Sequence, residues 1–540
     1  MELKSIKDVK NVKKFGLKDG AKLLISLVFL LLAMIYASMQ TDNLSGNAGS
    51  ILIVAAIFGC YMALNIGAND VANNLGPAVG SRAVSLFWAI VLAAVFELSG
   101  ALIAGEDVVT TIKKGIVDSS MILDTQIFIW IMMAALLGSA IWLNIATFIG
   151  APVSTTHAIV GGVAGAAIAA VGWEVVLWKN LGIIASSWII SPLLGGIIAA
   201  GLLYIIKQTI LNKKNKKAAA QKVVPFLIAL MALCFSIYLI LKGLKAVVEI
   251  RLLYAVLIGI AIAVGVFFIT KPIIFKTSER LPNSRRAINW LFNIPLVFSA
   301  AMLSFAHGAN DVSNAIGPLA AITEVLHGGF GEMDANIPFW IMFLGAAGIA
   351  VGLVLYGPKL IKTVGNEITE LDQIRAFCIA MSAALTVIVA SQLGLPVSST
   401  HTAIGGIFGV GFLREWLMRN NLREDILEVD SKKVKMKFEH KKLEEYKTEL
   451  ESLGKLKNID PLFIKELITK INEEKRLIAR ATETDIKTTK IEKKAIKAVE
   501  KHEFVKRSAL KTIVAAWLIT VPAVGVLSAM FYYMLRGIML

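Results

Sequence analysis

The 540-residue chain has little cysteine and little charge, and it lacks the signatures of familiar catalysts. Its three cysteines, Cys60, Cys234 and Cys378, are odd in number and lie inside apolar stretches, which argues against a disulfide framework or a zinc cluster and leaves them as packing residues. There is no P-loop, no H-E-x-x-H helix and no nucleophile with an evident base, so a membrane enzyme acting on phosphoryl groups is disfavoured. Charged residues are only 17% of the chain, and in the charged stretch from about Arg414 to Lys506 Glu and Asp are interspersed without a long single-sign block, so the net +16 reflects topology and surface, not nucleic-acid binding. The first apolar stretch, Leu23 to Met39, follows the basic run Lys10 to Lys22 and has no small-residue cleavage site, so it reads as a retained helix.

What the chain has instead is apolar length. Hydrophobic residues make up 56% of it, and runs of about 20 apolar residues, enough to span a bilayer, recur throughout. This composition specifies an all-α integral membrane protein. Thirteen crossing or near-crossing segments fall near 22–40, 51–80, 84–105, 125–149, 154–172, 182–206, 224–243, 251–270, 289–320, 338–357, 373–393, 397–412 and 509–535. Those at 154–172 and 397–412 are short and Gly-rich, as a re-entrant or broken helix would be. Lys and Arg gather in the N-terminal tail, in Lys207 to Lys222 and in Lys271 to Arg286, and all three come out cytoplasmic if each segment crosses once.

Two motifs occur twice. GANDVANNLGP from Gly67 to Pro77 returns as GANDVSNAIGP from Gly308 to Pro318, and PVSTTHAIVGG from Pro152 to Gly162 returns as PVSSTHTAIGG from Pro396 to Gly406. The spacing is nearly constant, 241 residues between the aspartates and 244 between the serines. With the charge-derived orientation, the first GAND segment runs outside to inside and the second inside to outside. The halves are therefore inverted, the arrangement of a secondary transporter with broken or re-entrant helices. SSWIISP at Ser186 to Pro192 resembles AAWLITVP at Ala515 to Pro522, which makes the last helix the fifth element of the second half. The expected division is a basic tail and extra helix at 1–50, a first repeat at 51–206, loops and two added helices at 207–288, a second repeat at 289–412, a charged insert at 413–508, and the completing helix at 509–540. Helical spacing of Leu443, Tyr446 and Leu450, and of Phe463, Leu467 and Ile471, predicts a small amphipathic helical bundle in that cytoplasmic insert.

A carboxylate at the end of an apolar run is costly in lipid unless neutralised or bound to a cation, and no Lys or Arg accompanies Asp70 or Asp311 in its motif. Asn69, Asn73, Asn310 and Asn314 add amide oxygens, and glycines that unwind the helix expose carbonyls, making an all-oxygen cage for a small hard cation such as sodium. One such cluster is as easily a packing network; two opposed copies favour an ion site. The second motif has the composition of a helix start. Its free N–H groups, the positive end of the helix dipole and the hydroxyls of Ser154, Thr155, Thr156, Ser398, Ser399 and Thr400 make two facing anion sites, between which a tetrahedral oxyanion fits. Glu97 in FELSGA has no acidic counterpart in the second half and is a coupling-ion or proton candidate. His157 and His401 are proton carriers or structural residues, a choice the sequence leaves open. Gly161 and Gly165 have the spacing of close helix packing.

With the GAND and PVS-x-TH signatures each present twice, the chain resembles the inorganic phosphate transporter (PiT) family over about Ile51 to Gly411 and the last helix. The resemblance implies cation-coupled phosphate symport by a multi-pass protein of the cell membrane, with no enzymatic activity and no cofactor. It assigns Asn69, Asp70, Asn310 and Asp311 to sodium and the six Ser/Thr hydroxyls to phosphate. The partners are then inorganic phosphate, sodium and the lipid bilayer, with homo-oligomer formation open. Proton-coupled phosphate or metal–phosphate symport and sulfate permeation are the alternatives; Asn73 and Asn314, oxygen ligands that a proton does not require, favour sodium. Asn74 stands where the second copy has Ala315, and Ser399 stands opposite Thr155, so the half-sites need not bind equally.

Overall fold

The computed structural model describes residues 17–42, 44–149, 153–243, 248, 250–329, 336–367, 371–431, 440–453, 461–482 and 507–539. Among them the structure is all helical, apart from turns and one isolated bridge between Val117 and Val176. Helices suit lipid, because each satisfies its backbone N–H and C=O groups within its own segment. The chain opens with α1 (Leu17–Ser38). The first half follows as α2 (Ala48–Asn69), α3 (Val71–Gly80), α4 (Leu86–Ala104), α5 (Glu106–Lys114), α6 (Thr125–Ile149), α7 (Thr155–Ala170) and α8 (Trp178–Ile206). Then come α9 (Lys216–Gly243), α10 (Leu252–Glu279) and α11 (Arg285–Leu291), followed by the second half, α12 (Asn293–Asp311), α13 (Ser313–Leu326), α14 (Phe339–Glu367), α15 (Gln373–Gln392) and α16 (Ser399–Ser431). Last are α17 (His440–Leu453), α18 (Pro461–Thr482) and α19 (Arg507–Met539).

Among the described residues, ten helices are long and apolar enough to cross a membrane, and the bent pair α11 with α12–α13, kinked by 42°, makes an eleventh. Of the thirteen segments expected, the two that do not qualify are the Ser/Thr-motif segments: α7 has only 16 residues, and α16 runs on from its apolar start into the charged sequence.

Contacts at the two ends of the bundle establish the inversion. At one end, Gln373 donates to the Ser81 carbonyl, Arg285 faces Asp372, and Ser26 bonds to Tyr356. At the other, Thr111 donates to the Gly394 carbonyl, Lys113 pairs with Glu324, and Lys242 pairs with Asp107. The α2–α3 run therefore finishes at the end where α12 starts, and α4 finishes where α14 starts. The two halves lie antiparallel.

Glycine permits the closest crossings. A Cβ on Gly67 would sit 2.8 Å from the carbonyl carbon of Ile349, and one on Gly308 would sit 2.7 Å from that of Glu97. The reciprocal glycines, Gly352 and Gly100, press on the carbonyls of Leu64 and Phe305. Thus α2 crosses α14 as α12 crosses α4, backbone to backbone, which small residues allow in lipid. The same device recurs where Gly161 and Gly165 of α7 meet Val521 and Gly525 of α19, and where Gly405 and Gly409 of α16 meet Pro192 and Gly196 of α8. By contrast, α1 and α10 present exposed Leu24, Leu32, Leu253 and Phe268, apolar faces suited to lipid.

Residues Gly411–Arg507 form a second compact unit. Within it α17 packs on α18, burying Leu450, Leu467 and Ile471, while Phe463 is exposed and does not join the apolar face expected of it. The Leu443 side chain and residues 432–439, 454–460 and 483–506 of the insert lie outside the described residues.

Candidate functional site

Each GAND aspartate sits at a junction between two helices. Asp70 follows α2 and Asp311 closes α12, and the breaks are slight: Asp70 has φ −84° and ψ −33°, and Val312 has φ −57° and ψ −31°. The expectation that glycine unwinds the helix here is corrected, since the backbone stays right-handed and the glycines serve close packing. Carbonyl release comes instead from Pro77 inside α3 and Pro318 inside α13, which have no N–H for the carbonyls of residues 73 and 314.

Ser154, in extended conformation with ψ 123°, caps α7 by accepting from the His157 N–H at 3.2 Å, and Ser398 accepts from the His401 N–H at 3.3 Å. The capped helix starts point at the aspartates. Thr155 donates to Asp70 Oδ2 at 2.7 Å and lies 3.4 Å from Asp311 Oδ2; Thr400 donates to Asp70 Oδ1 at 3.2 Å, and Ser399 to Asp311 Oδ2 at 3.5 Å. Asn314 donates to both Thr155 and Thr156, at 3.1 and 3.2 Å, and the Thr156 hydroxyl reaches the Val397 carbonyl at 3.1 Å. Four segments, two from each half, thus build one cluster. Ser154, Thr155, Thr156, Ser398, Ser399, Thr400, Asn69, Asp70, Asn310, Asp311 and Asn314 are each at most 2% exposed.

The remaining predicted residues divide by use. Asn310 braces the start of α16: its amide donates to Ser391 Oγ at 2.9 Å and the Leu395 carbonyl at 3.1 Å, and its oxygen accepts from the Val397 N–H at 3.2 Å. Its repeat equivalent, Asn69, donates to Thr147 at 3.0 Å. The Asn73 side chain lies outside the described residues. Asn314 Oδ1 and Asp311 Oδ1 are buried acceptors with no donor among the described residues, a donor set that fits a hard cation and not an anion. His157 and His401 face each other and two tryptophans.

Sequence reasoning missed His307. Its ring lies 3.1 Å from Glu97 Oε1 and 3.0 Å from Asp311 Oδ2, and ligand atoms of Asp70, His307 and Asp311 all lie within 4.8 Å of one another. The signal was present in the sequence: the second motif reads HGAND where the first reads IGAND. Asn74 joins the same group, donating to Glu97 Oε1 at 3.4 Å.

Two antiparallel halves that enclose a buried cluster of carboxylates and capped hydroxyls have the architecture of an inverted-repeat membrane transporter. Residues 66–528 match the phosphate transporter family. A Helicobacter pylori (strain ATCC 700392 / 26695) protein carrying the phosphate permease name is 49% identical over 550 residues, covering 98% of both chains. A Pyrococcus furiosus protein of the same name is 40% identical over 369 residues, 68% of this chain and 88% of that one. A solved structure described as the sodium-dependent phosphate transporter aligns with a TM-score of 0.71 at 32% identity, covering 91% of this chain and 100% of that chain. The chain belongs to the phosphate transporter family.

Proposed function

We propose that the chain carries inorganic phosphate together with sodium across the cell membrane by alternating access. Phosphate sits at the α7 and α16 helix starts, held by N–H groups and by the hydroxyls of Thr155, Thr156, Ser399 and Thr400, with Ser154 and Ser398 as caps that can still donate. Sodium sits against Asp70 and Asp311, with the Asn314 oxygen beside them. Cation and anion next to each other make the load nearly neutral, which lowers the cost of crossing a low-dielectric interior. The observation that carries this reading is Thr155, whose hydroxyl lies within 3.4 Å of carboxylate oxygens from both halves, joining the anion motif to the cation motif. By the positive-inside rule, the loop Lys207 to Lys222, the N-terminal tail and the insert are assigned to the cytoplasm.

One observation favours a proton-coupled version: His307 lies between the carboxylates of Glu97 and Asp311. Proteoliposome uptake of labelled phosphate separates the two. Sodium coupling predicts accumulation driven by an inward sodium gradient at equal pH on both sides; accumulation driven by a proton gradient in sodium-free buffer, with no response to sodium, contradicts it.

A further inference from the structure

The two motif histidines are part of a column of four rings in contact. Trp188 of α8 lies on His157 of α7 with centroids 3.9 Å apart, His157 meets His401 of α16 edge-on at 4.5 Å, and His401 stacks on Trp517 of α19 at 3.5 Å and 28°. The order Trp–His–His–Trp is symmetric about its centre. His157 and His401 hold the same place in PVSTTH and PVSSTH, and Trp188 and Trp517 the same place in SSWIISP and AAWLITVP. The two halves therefore touch, ring to ring, on the axis that relates them.

Each histidine is also the residue whose backbone N–H is bound by the capping serine, Ser154 or Ser398. A shift of either ring therefore shifts the cap and the hydroxyls beside it. Both rings are buried, at 5% and 0% exposed, and their nitrogens have no side-chain hydrogen-bond partner among the described residues. The His157 ring reaches the backbone of Trp517, and both imidazoles are otherwise held by contacts between aromatic rings, face to face and edge-on. We infer that this column is a spacer that fixes the separation of the two anion-binding helix starts, so that His157 and His401 are positioning residues for the transported oxyanion through their rings.

The inference rests on the phosphate-transport reading. Uptake by the unaltered chain tests that reading, and the ranking of variants in the same vesicles tests this one. His157→Phe and His401→Phe keep a ring and lose both nitrogens; His157→Gln and His401→Gln keep a polar group and lose the ring. The spacer predicts that the Phe variants hold phosphate KM within about threefold, whereas the Gln variants raise it about tenfold or more, the scale expected when binding groups move by a fraction of an ångström to an ångström. A column that only stabilised the fold would lower the amount of folded protein and the maximal rate without moving KM. His157→Ala and His401→Ala should fall with the Gln variants; if they do not fold, the Phe-against-Gln ranking at the same positions still decides. Phe variants that fail while Gln variants keep the wild-type KM would overturn the inference, as would four variants with an unchanged KM.

Discussion

The two half-sites carry the same motif and give their aspartates different company. Asp70 receives hydroxyls from both halves, Thr155 and Thr400, whereas Asp311 is faced by an imidazole as well. The difference comes from three positions that break the repeat: Ile66 against His307, Asn74 against Ala315, and Glu97 against Ile349. The last pairing follows from the glycine crossings, where Glu97 and Ile349 offer equivalent carbonyls to Gly308 and Gly67. Far apart in sequence, the three polar members gather on one side of the site, with Glu97 touching both Asn74 and His307. Symmetric residues build the frame of the cluster and its hydroxyls; asymmetric ones concentrate ionisable groups at one carboxylate. The inverted halves are equal as scaffolds and unequal in the ionisable groups they bring to the cluster.

The largest expected effect breaks that asymmetry one side at a time. His307→Ile makes the second half resemble the first and takes the imidazole from Glu97, leaving it Asn74, and Glu97→Ile makes the first half resemble the second and leaves His307 with Asp311; each costs about 3 kcal/mol, as loss of one partner from a buried pair does. The double variant costs less than the sum by about 1–3 kcal/mol, read from denaturation of the detergent-solubilised protein. Strict additivity would mean that the two residues do not act as a unit.

A smaller effect tests the symmetric part. Gly67→Ala and Gly308→Ala place a methyl against a backbone carbonyl and destabilise by about 1–3 kcal/mol, by similar amounts in the two halves. At Gly201 and Gly265 a methyl group would meet no atom of the described residues within 4 Å, so the same substitution there is neutral or mildly stabilising in the same assay. Equal behaviour of all four would contradict the close crossings.

Much of this arrangement is legible in the sequence because identity between the repeats marks what both halves need. GAND and PVS-x-TH fix the aspartates, caps and hydroxyls, and the inverted direction follows from Lys and Arg. Identity is blind to what only one half needs, which is why His307 escapes a comparison that aligns GAND and ignores the residue before it. Side-chain allocation escapes as well: Asn310 belongs to the aspartate motif yet spends its amide on the loop before α16, a contact set by tertiary approach across 87 residues. The helix at Asp70 stays wound because the glycines answer to a neighbouring backbone that sequence does not reveal.

The most direct test is reciprocal binding to the purified protein. Calorimetric titration of phosphate in sodium and in choline buffer, and of sodium with and without phosphate, measures whether the two ions share one site. Shared occupancy at Asp70, Asp311 and the two helix starts predicts that each ion tightens the other by the same factor, about tenfold or more. A phosphate affinity that is the same in sodium and in choline would contradict it.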